Sequence, residues 1–214
     1  MKKLLLVFAF LAVAGAVTVQ AQDYKPFRVG LGLGFASPAG DGAKGGVLFY
    51  LEPSYRVTDA IAVGLKMEGA VMFRGTTITQ NGTSYAGSGT VSGSGSYTLN
   101  GQYYFMNGGF RPFAGVGFGI YSLASASVSF AGNGNTQTSS QTDAVSGGTK
   151  FGFYPRVGFD AGHFTFNIEY NIVPKSTNSF QVDNNGTIST AKSETKNNYL
   201  GIRIGAFIGG GKRR

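Results

Sequence analysis

Alternation of bulky apolar and small residues first appears at residues 27–35, in the run FRVGLGLGF. Side chains alternate faces along a strand, so this run has one bulky face and one nearly bare face. The bulky face carries Phe27, Val29, Leu31, Leu33 and Phe35. Arg28 and three glycines occupy the other face. The pattern predicts a β-strand with one apolar side.

The same alternation predicts further strands along the chain. Their ranges are 47–57, 60–73, 96–105, 110–121, 149–160, 164–172 and 197–208. The connections alternate between long polar tracts and short turns, and the long tracts are 36–45, 75–95, 122–148 and 174–196. Alternating strands of about ten residues with long loops on one rim and short turns on the other are typical of membrane barrels. We therefore predict an all-β fold, a closed antiparallel transmembrane β-barrel of about eight strands with long extracellular loops and short periplasmic turns.

Packing volume decides which face of each strand points outward. A barrel of about eight strands has an interior just wide enough for its own side chains, so the bulky faces of all strands do not fit inside. The bulky face is therefore predicted to contact lipid. The positions assigned to lipid are Leu31, Leu33, Val116, Phe118, Ile168, Ile202 and Ile204.

Composition agrees with a barrel rather than with a soluble domain. Charged residues make up 13% of the 214 residues, about half of the roughly 25% usual in soluble domains. Glycine is abundant, at 35 residues, while 18 Phe and 11 Tyr argue against general disorder. The chain has no cysteine, which excludes a disulfide scaffold, a thiolate metal site and a lipid-anchored lipoprotein.

The first 21 residues have the features of a secretory signal. Lys2 and Lys3 precede an apolar run, and residues 19–21 place small side chains at the cleavage positions. An anchoring helix is the alternative, but the run is short for a bilayer span of about 20 residues. We predict a cleaved signal peptide at 1–21 and one barrel domain at 22–214.

The chain resembles the small outer-membrane β-barrel proteins of Gram-negative bacteria, which include the transmembrane part of OmpA, OmpX and OmpW. Residues 27–35, 111–121 and 199–207 carry the resemblance, which extends over the whole mature chain. It implies a bacterial outer-membrane location with both termini periplasmic, and barrel-assembly machinery as a partner during biogenesis. The family's last strand usually ends on an aromatic residue that this machinery reads, whereas this chain continues past Phe207 to Arg214.

Charged residues on the bare faces are the main candidates for a site. They are Arg28, Glu52, Arg56, Lys66, Glu68, Arg74, Lys150, Arg156, Asp160, Glu169 and Arg203. They either line an ion path or form a paired structural network. We favour the network, because an unpaired buried charge costs about 3–5 kcal/mol. The inward glycines either make room for Tyr50, Tyr104, Phe113, Tyr121, Tyr154 and Phe207 or leave a thin cavity, and the sequence leaves both possibilities open.

Catalytic and cofactor chemistry finds little support in the sequence. His163 is the only histidine, and it lies in a predicted short turn away from the inward carboxylates. General-base catalysis needs a partner within hydrogen-bond reach, and a zinc site needs more His or Cys ligands. The run from Gly115 to Gly119 lacks the helix and third glycine of a phosphate-binding loop. We predict no catalytic residues, no metal, no cofactor and no enzymatic activity.

The predicted function is therefore that of a non-enzymatic outer-membrane scaffold. It presents its surface loops to partner proteins, such as other members of an envelope assembly. Contacts are expected with outer-membrane lipid, and with protein through the loops 36–45, 75–95, 122–148 and 174–196. Four lysines, Lys44, Lys175, Lys192 and Lys196, are scattered through these loops, so the positive net charge is weak evidence for a nucleic-acid partner, and we predict none. The alternative, which the resemblance to OmpW suggests, is a narrow channel for small or hydrophobic solutes.

Overall fold

The computed structural model describes residues 23–40, 43–74, 77–80, 83–86, 90–127, 145–184 and 187–211. The predicted signal peptide lies outside this part of the chain. The regular elements of the described residues are all strands, and none of these residues forms a helix long and apolar enough to cross a membrane. The strands are β1 (Phe27–Pro38), β2 (Lys44–Arg56), β3 (Ile61–Arg74), β4 (Thr77–Gln80), β5 (Thr83–Ala86), β6 (Thr90–Tyr104), β7 (Phe110–Ser127), β8 (Val145–Ala161), β9 (Phe164–Asn171), β10 (Ser176–Asn184), β11 (Thr187–Thr195) and β12 (Tyr199–Gly209).

Eight of these strands form a closed antiparallel barrel in the order β1-β12-β9-β8-β7-β6-β3-β2. The first and last strands close the ring, with Leu31 paired to Ala206 and Gly34 to Arg203. The sequence-based prediction of an all-β, eight-stranded antiparallel barrel is confirmed. Closure pairs the backbone groups of both strands that would otherwise be edges, which a hydrocarbon environment requires.

The apolar faces of the barrel strands point outward. Relative exposure is 47% for Leu31, 63% for Val116 and 39% for Ile202, and Leu33, Phe118, Ile168 and Ile204 are exposed on the same outer surface. The largest fully buried side chains are instead mostly polar, with Arg203, Lys66 and Glu169 among them. The barrel is therefore apolar outside and polar inside, the arrangement of a protein that has lipid as its outer solvent.

Short turns join the strands at one end, which we call the short-turn end. They are residues 57–60, 105–109 and 162–163. Aromatic side chains surround the outer wall here, with Phe27, Tyr55, Phe105, Phe110 and Phe164 exposed. The ring of Phe159 lies 5.0 Å from that of Phe110 and 6.2 Å from that of Phe164, measured between centroids. Such a girdle suits the boundary between hydrocarbon and water.

We call the opposite end of the barrel the loop end. Its structure differs from the prediction of long loops there, because the polar tracts contain strands. The barrel strands extend further, with β6 beginning at Thr90 and β7 ending at Ser127, where these two residues pair. Two hairpins, β4–β5 and β10–β11, also join in a four-stranded sheet of order β10-β11-β4-β5. Neither hairpin has enough apolar area to be stable alone. Pairing of Ile78 with Ser193 and of Thr79 with Lys192 connects them.

A charge placed on the outer wall is expected to block assembly. Leu31→Arg and Val116→Arg each put a guanidinium against hydrocarbon, at a cost of about 2–4 kcal/mol near the bilayer midplane. We expect both variants to lose the heat-modifiable gel migration of a folded barrel. Thr177→Arg is the matched control, because Thr177 is exposed on β10 outside the barrel, and it should migrate normally. Normal migration of the first two variants would contradict the outward facing of these strands.

Candidate functional site

The lumen of the barrel contains the candidate site. Glycines on the lumen wall lie opposite aromatic rings and leave room for them. A Cβ atom on Gly32 would lie 2.7 Å from Cε1 of Tyr50. One on Gly117 would lie 2.6 Å from Cε1 of Tyr154. The six inward aromatic residues named in the sequence analysis are all buried. The glycines therefore provide space that large side chains from other strands occupy.

Glu68 on β3 is the centre of one group of contacts. Its Oε2 accepts hydrogen bonds from Nε and Nη2 of Arg203, at 2.8 and 2.5 Å. Its Oε1 accepts a 2.6 Å hydrogen bond from the hydroxyl of Tyr199. Nζ of Lys66, two residues earlier on the same face, lies 3.5 Å from Oε2. Both carboxylate oxygens thus accept hydrogen bonds from side chains of β12.

Two further ion pairs cross the lumen. Lys66 on β3 donates to Oε2 of Glu169 on β9. Arg156 on β8 binds Glu52 on β2 through two parallel hydrogen bonds of 2.9 and 2.7 Å. In both pairs the two strands lie four places apart in the eight-stranded ring, and therefore on opposite walls. Glu169 also lies 3.1 Å from Nη1 of Arg203 and 3.5 Å from Nη1 of Arg156, which joins all the pairs into one network.

This central network is balanced in charge. Its members are Glu52, Glu68, Glu169, Lys66, Arg156 and Arg203. Three carboxylates thus face three cations, and every member is buried. Removing one partner from a buried pair leaves a charge without compensation, which costs about 3–5 kcal/mol. The network therefore constrains all six positions together.

Little space remains beside the network. A cavity of about 20 Å³ lies next to the Glu52–Arg156 pair and is lined also by Tyr50, Gln102 and Phe113. A volume of this size holds about one water molecule. The geometry at this level is that of a filled interior.

A second group of contacts lies nearer the short-turn end. Nη1 of Arg28 lies 2.5 Å from Oδ2 of Asp160, and Nε donates to Ser54 at 3.1 Å. The hydroxyl of Tyr104 donates to the same Asp160 oxygen at 2.8 Å. The guanidinium of Arg28 also lies over the ring of Phe207, 4.8 Å from its centroid. Phe207 is therefore packed inside the lumen.

The structure buries nine of the eleven charged residues that the sequence assigned to the lumen. Arg56 lies at the short-turn mouth, where Nη1 donates to the carbonyl of Gly210 at 3.3 Å. Lys150 is half-buried near the loop end and forms no ion pair with a residue that the structure describes. The side chain of Arg74 lies outside the described part of the chain.

The sequence analysis did not select several residues that the structure buries in the lumen or at its mouth. Arg111, Tyr199 and Gln102 occupy inward positions in the same alternation, so the signal for them was present in the sequence. Tyr24 precedes the first strand and has no such signal. It is buried nevertheless, and its hydroxyl donates to the carbonyl of Gly108 at 3.0 Å.

His163 is at the short-turn end, as expected from its predicted turn. Its Nδ1 lies 2.9 Å from the carbonyl oxygen of Phe207, which can only accept, so Nδ1 carries the proton. Within the described part of the chain, no group of three or more His, Cys, Asp or Glu side chains is placed to hold a metal ion.

Comparisons with known proteins identify the fold family. The model of the family described as "Outer membrane protein beta-barrel domain" matches residues 7–206. No curated protein matches the chain. Among solved structures, OprG from Pseudomonas aeruginosa is 16% identical, with a TM-score of 0.49, over 89% of this chain and 100% of that one. The Neisserial surface protein A is 14% identical, with a TM-score of 0.41, over 83% and 96%. Ail of Yersinia pestis is 13% identical, with a TM-score of 0.37, over 84% and 98%.

Neutralising one member of the central network is expected to destabilise the barrel. Glu169→Gln removes the nearest carboxylate partner of Lys66 and leaves the network with one more cation than carboxylates, so it should lower the free energy of unfolding by about 3–5 kcal/mol. Urea unfolding of the refolded protein in lipid vesicles measures this loss. The charge-balanced double variant Lys66→Met/Glu169→Gln should recover most of it, since pairs in contact do not behave additively. Equal destabilisation by the single and double variants would show that charge balance does not hold the lumen together.

Proposed function

The chain belongs to the outer membrane protein β-barrel domain family, and from this we propose that it is a non-enzymatic scaffold with a closed lumen whose loop-end sheet meets a protein partner. Its location is the bacterial outer membrane. We place both termini in the periplasm, because β1 begins and β12 ends at the short-turn end, where the backbone N–H of Lys25 donates to Gly211 at 2.8 Å. Insertion by barrel-assembly machinery is part of the same proposal.

The single observation that supports a closed lumen is the neutral network across it. Ion pairs from opposite walls meet at Glu169, and the adjoining cavity of about 20 Å³ is too small for a hydrated solute path. The same contacts support a non-enzymatic role. The carboxylates of Glu52, Glu68 and Glu169 each face cationic partners within 3.5 Å, so none is placed to take a proton from a substrate.

The surface proposed for a protein partner is the sheet β10-β11-β4-β5 at the loop end, which is formed from the tracts 75–95 and 174–196. Strands β10 and β5 are the outermost members of this sheet. An outer strand presents backbone N–H and C=O groups, which can pair with a strand of another protein. The tracts 36–45 and 122–148 also begin at this end of the barrel, and we include them in the same proposal as further contacts for a protein partner.

A narrow route for hydrophobic solutes is the second candidate, and one cleft favours it. Strand β8 pairs with β9 from Arg156 to Ala161, and beyond this an isolated bridge joins Phe153 to Ile172. Above the bridge a cleft of about 520 Å³ is lined by the outward Phe151 and Tyr170 together with buried residues such as Val173 and Asn197. Its lining therefore combines outward aromatic side chains with residues buried in the protein. The central network lies on the short-turn side of this cleft.

Planar-bilayer recordings distinguish the two candidates. The refolded protein should give a quiet baseline, because the network leaves no continuous aqueous path. A variant with alanine at positions 52, 66, 156 and 169 removes both pairs that cross the lumen and should give current steps, provided that its gel migration shows a folded barrel. Reproducible steps from the unaltered protein would reverse the preference and support the solute route.

The partner surface is tested by removing one hairpin. Replacing residues 178–193 with a two-residue turn deletes the outer part of β10–β11 and leaves every barrel strand intact. We expect normal heat-modifiable migration, together with loss of any protein that cross-links to the unaltered chain in intact envelopes. Unchanged cross-linking by the shortened chain would place the contact elsewhere and contradict this surface.

A further inference from the structure

A small cavity lies in the lumen between the central network and the short-turn mouth, and we call it the inner cavity. Its volume is about 20 Å³. Glu52 and Arg156 line it on the network side, while Arg28 and Ser54 line it towards the mouth. A cavity of this volume accommodates one molecule the size of water, provided that polar groups are placed to bind it.

Three polar atoms in the wall of the inner cavity have no hydrogen-bond partner among the residues that the structure describes. They are the hydroxyl of Tyr50, Nε of Arg156 and Oδ1 of Asn167. Relative exposure is 4% for Tyr50 and 3% for each of the other two residues, so bulk water does not reach them. A buried polar group without a partner destabilises a fold, and such groups are rare. Three of them around one cavity therefore indicate a ligand.

The chemistry of these three atoms restricts what the ligand can be. Nε of Arg156 carries a hydrogen and only donates, whereas Oδ1 of Asn167 only accepts. A simple anion such as chloride cannot donate to Asn167, and a metal cation cannot accept from Arg156. The central network already balances three carboxylates with three cations, so a charged ligand would disturb that balance. The ligand is therefore uncharged and has both a donor and an acceptor.

Access to the inner cavity differs between its two sides. Towards the loop end, the central network fills the lumen, and beyond it lies a buried apolar cluster that includes Leu48, Met72 and Val173. Towards the mouth, Phe207 lines both the inner cavity and the pocket of about 270 Å³ at the short-turn end. Phe207 thus lies between the two spaces, and it is a thinner barrier than the network and the apolar cluster together.

We propose that the inner cavity binds one water molecule, which exchanges through the short-turn mouth past Phe207. This water accepts a hydrogen bond from Arg156, donates one to Asn167 and bonds the hydroxyl of Tyr50. Water fits the volume and offers two donors and two acceptors, so one molecule satisfies all three groups. It links Tyr50 on β2 and Asn167 on β9 to the central network through Arg156. The lumen is then closed to ions and hydrated at a single position.

Removing the Tyr50 hydroxyl tests the bound water through the sign of a stability change. A hydroxyl bound to water contributes a hydrogen bond, so Tyr50→Phe should raise the equilibrium constant of unfolding about threefold to tenfold, measured by urea titration in lipid vesicles. Tyr97→Phe removes the same atom from the exposed outer wall and should leave this constant nearly unchanged. An unchanged or lower constant for Tyr50→Phe would overturn the proposal, because deleting a buried hydroxyl that has no partner relieves its desolvation cost.

Nuclear magnetic resonance detects the water directly in the protein refolded in detergent micelles. We expect a cross-peak between water and the Nε proton of Arg156, and its sign in the rotating-frame spectrum separates a bound water from proton exchange. Asn167→Leu is similar in shape but has no polar atom, so it should abolish this cross-peak in a barrel whose gel migration shows that it is folded. Absence of the cross-peak from the unaltered protein, or its persistence in the folded variant, would overturn the proposal.

The route of exchange is tested by the residence time of the water, measured by oxygen-17 relaxation dispersion on folded variants. Phe207→Leu thins the barrier towards the mouth and should shorten the residence time at least tenfold. Leu48→Ala is the matched control, because it truncates an apolar side chain on the loop-end side and should leave the residence time unchanged. No shortening by Phe207→Leu, or shortening by Leu48→Ala alone, would overturn exchange through the mouth.

Discussion

In hydrocarbon, every backbone N–H and C=O group needs a hydrogen-bond partner within the protein, and the rest of this structure depends on that constraint. A strand surrounded by lipid has no water to bond its N–H and C=O groups, so the sheet must close on itself. Closure at eight strands leaves a narrow interior that large side chains fill. Bulky residues such as Leu31 and Val116 then contact lipid, and charged residues such as Lys66 and Arg203 fall inside. Once inside, their charges have to balance.

The centre of the lumen and its short-turn mouth differ in how their charged side chains are packed. At the centre, three carboxylates meet three cations, and the cavity beside the Glu52–Arg156 pair has a volume of about 20 Å³. At the short-turn mouth, Arg56 and Arg111 stack on Tyr24 and Tyr104 beside a pocket of about 270 Å³. The centre of the lumen is thus filled by paired side chains, whereas open volume remains at the mouth.

Period-two alternation was sufficient to predict the barrel strands, since it is a local property of the chain, whereas the facing of each strand also required the packing volume of a narrow barrel. The pairing of Lys66 with Glu169 was not predictable, because it depends on the stagger that brings strands four places apart to the same height. The position of Tyr24 depends on the contact between Lys25 and Gly211 at the short-turn mouth, which joins residues far apart in sequence. The loop-end sheet was missed for a related reason. Each hairpin is too polar to be stable alone, and only contact between Thr79 and Lys192 in space, 113 residues apart in sequence, reveals the partner.

In this structure the apolar faces of the strands contact lipid, while paired side chains fill the centre of the lumen. The chain has no tryptophan, so single probes can be placed on adjacent strands as Phe118→Trp, which is outward, and Tyr154→Trp, which is buried in the lumen. Fluorescence in vesicles is then measured with brominated acyl chains and with acrylamide as the aqueous quencher. We expect strong quenching at position 118 by brominated lipid and little quenching at position 154 by either agent. Quenching at position 154 by acrylamide, or by brominated lipid in place of position 118, would contradict it.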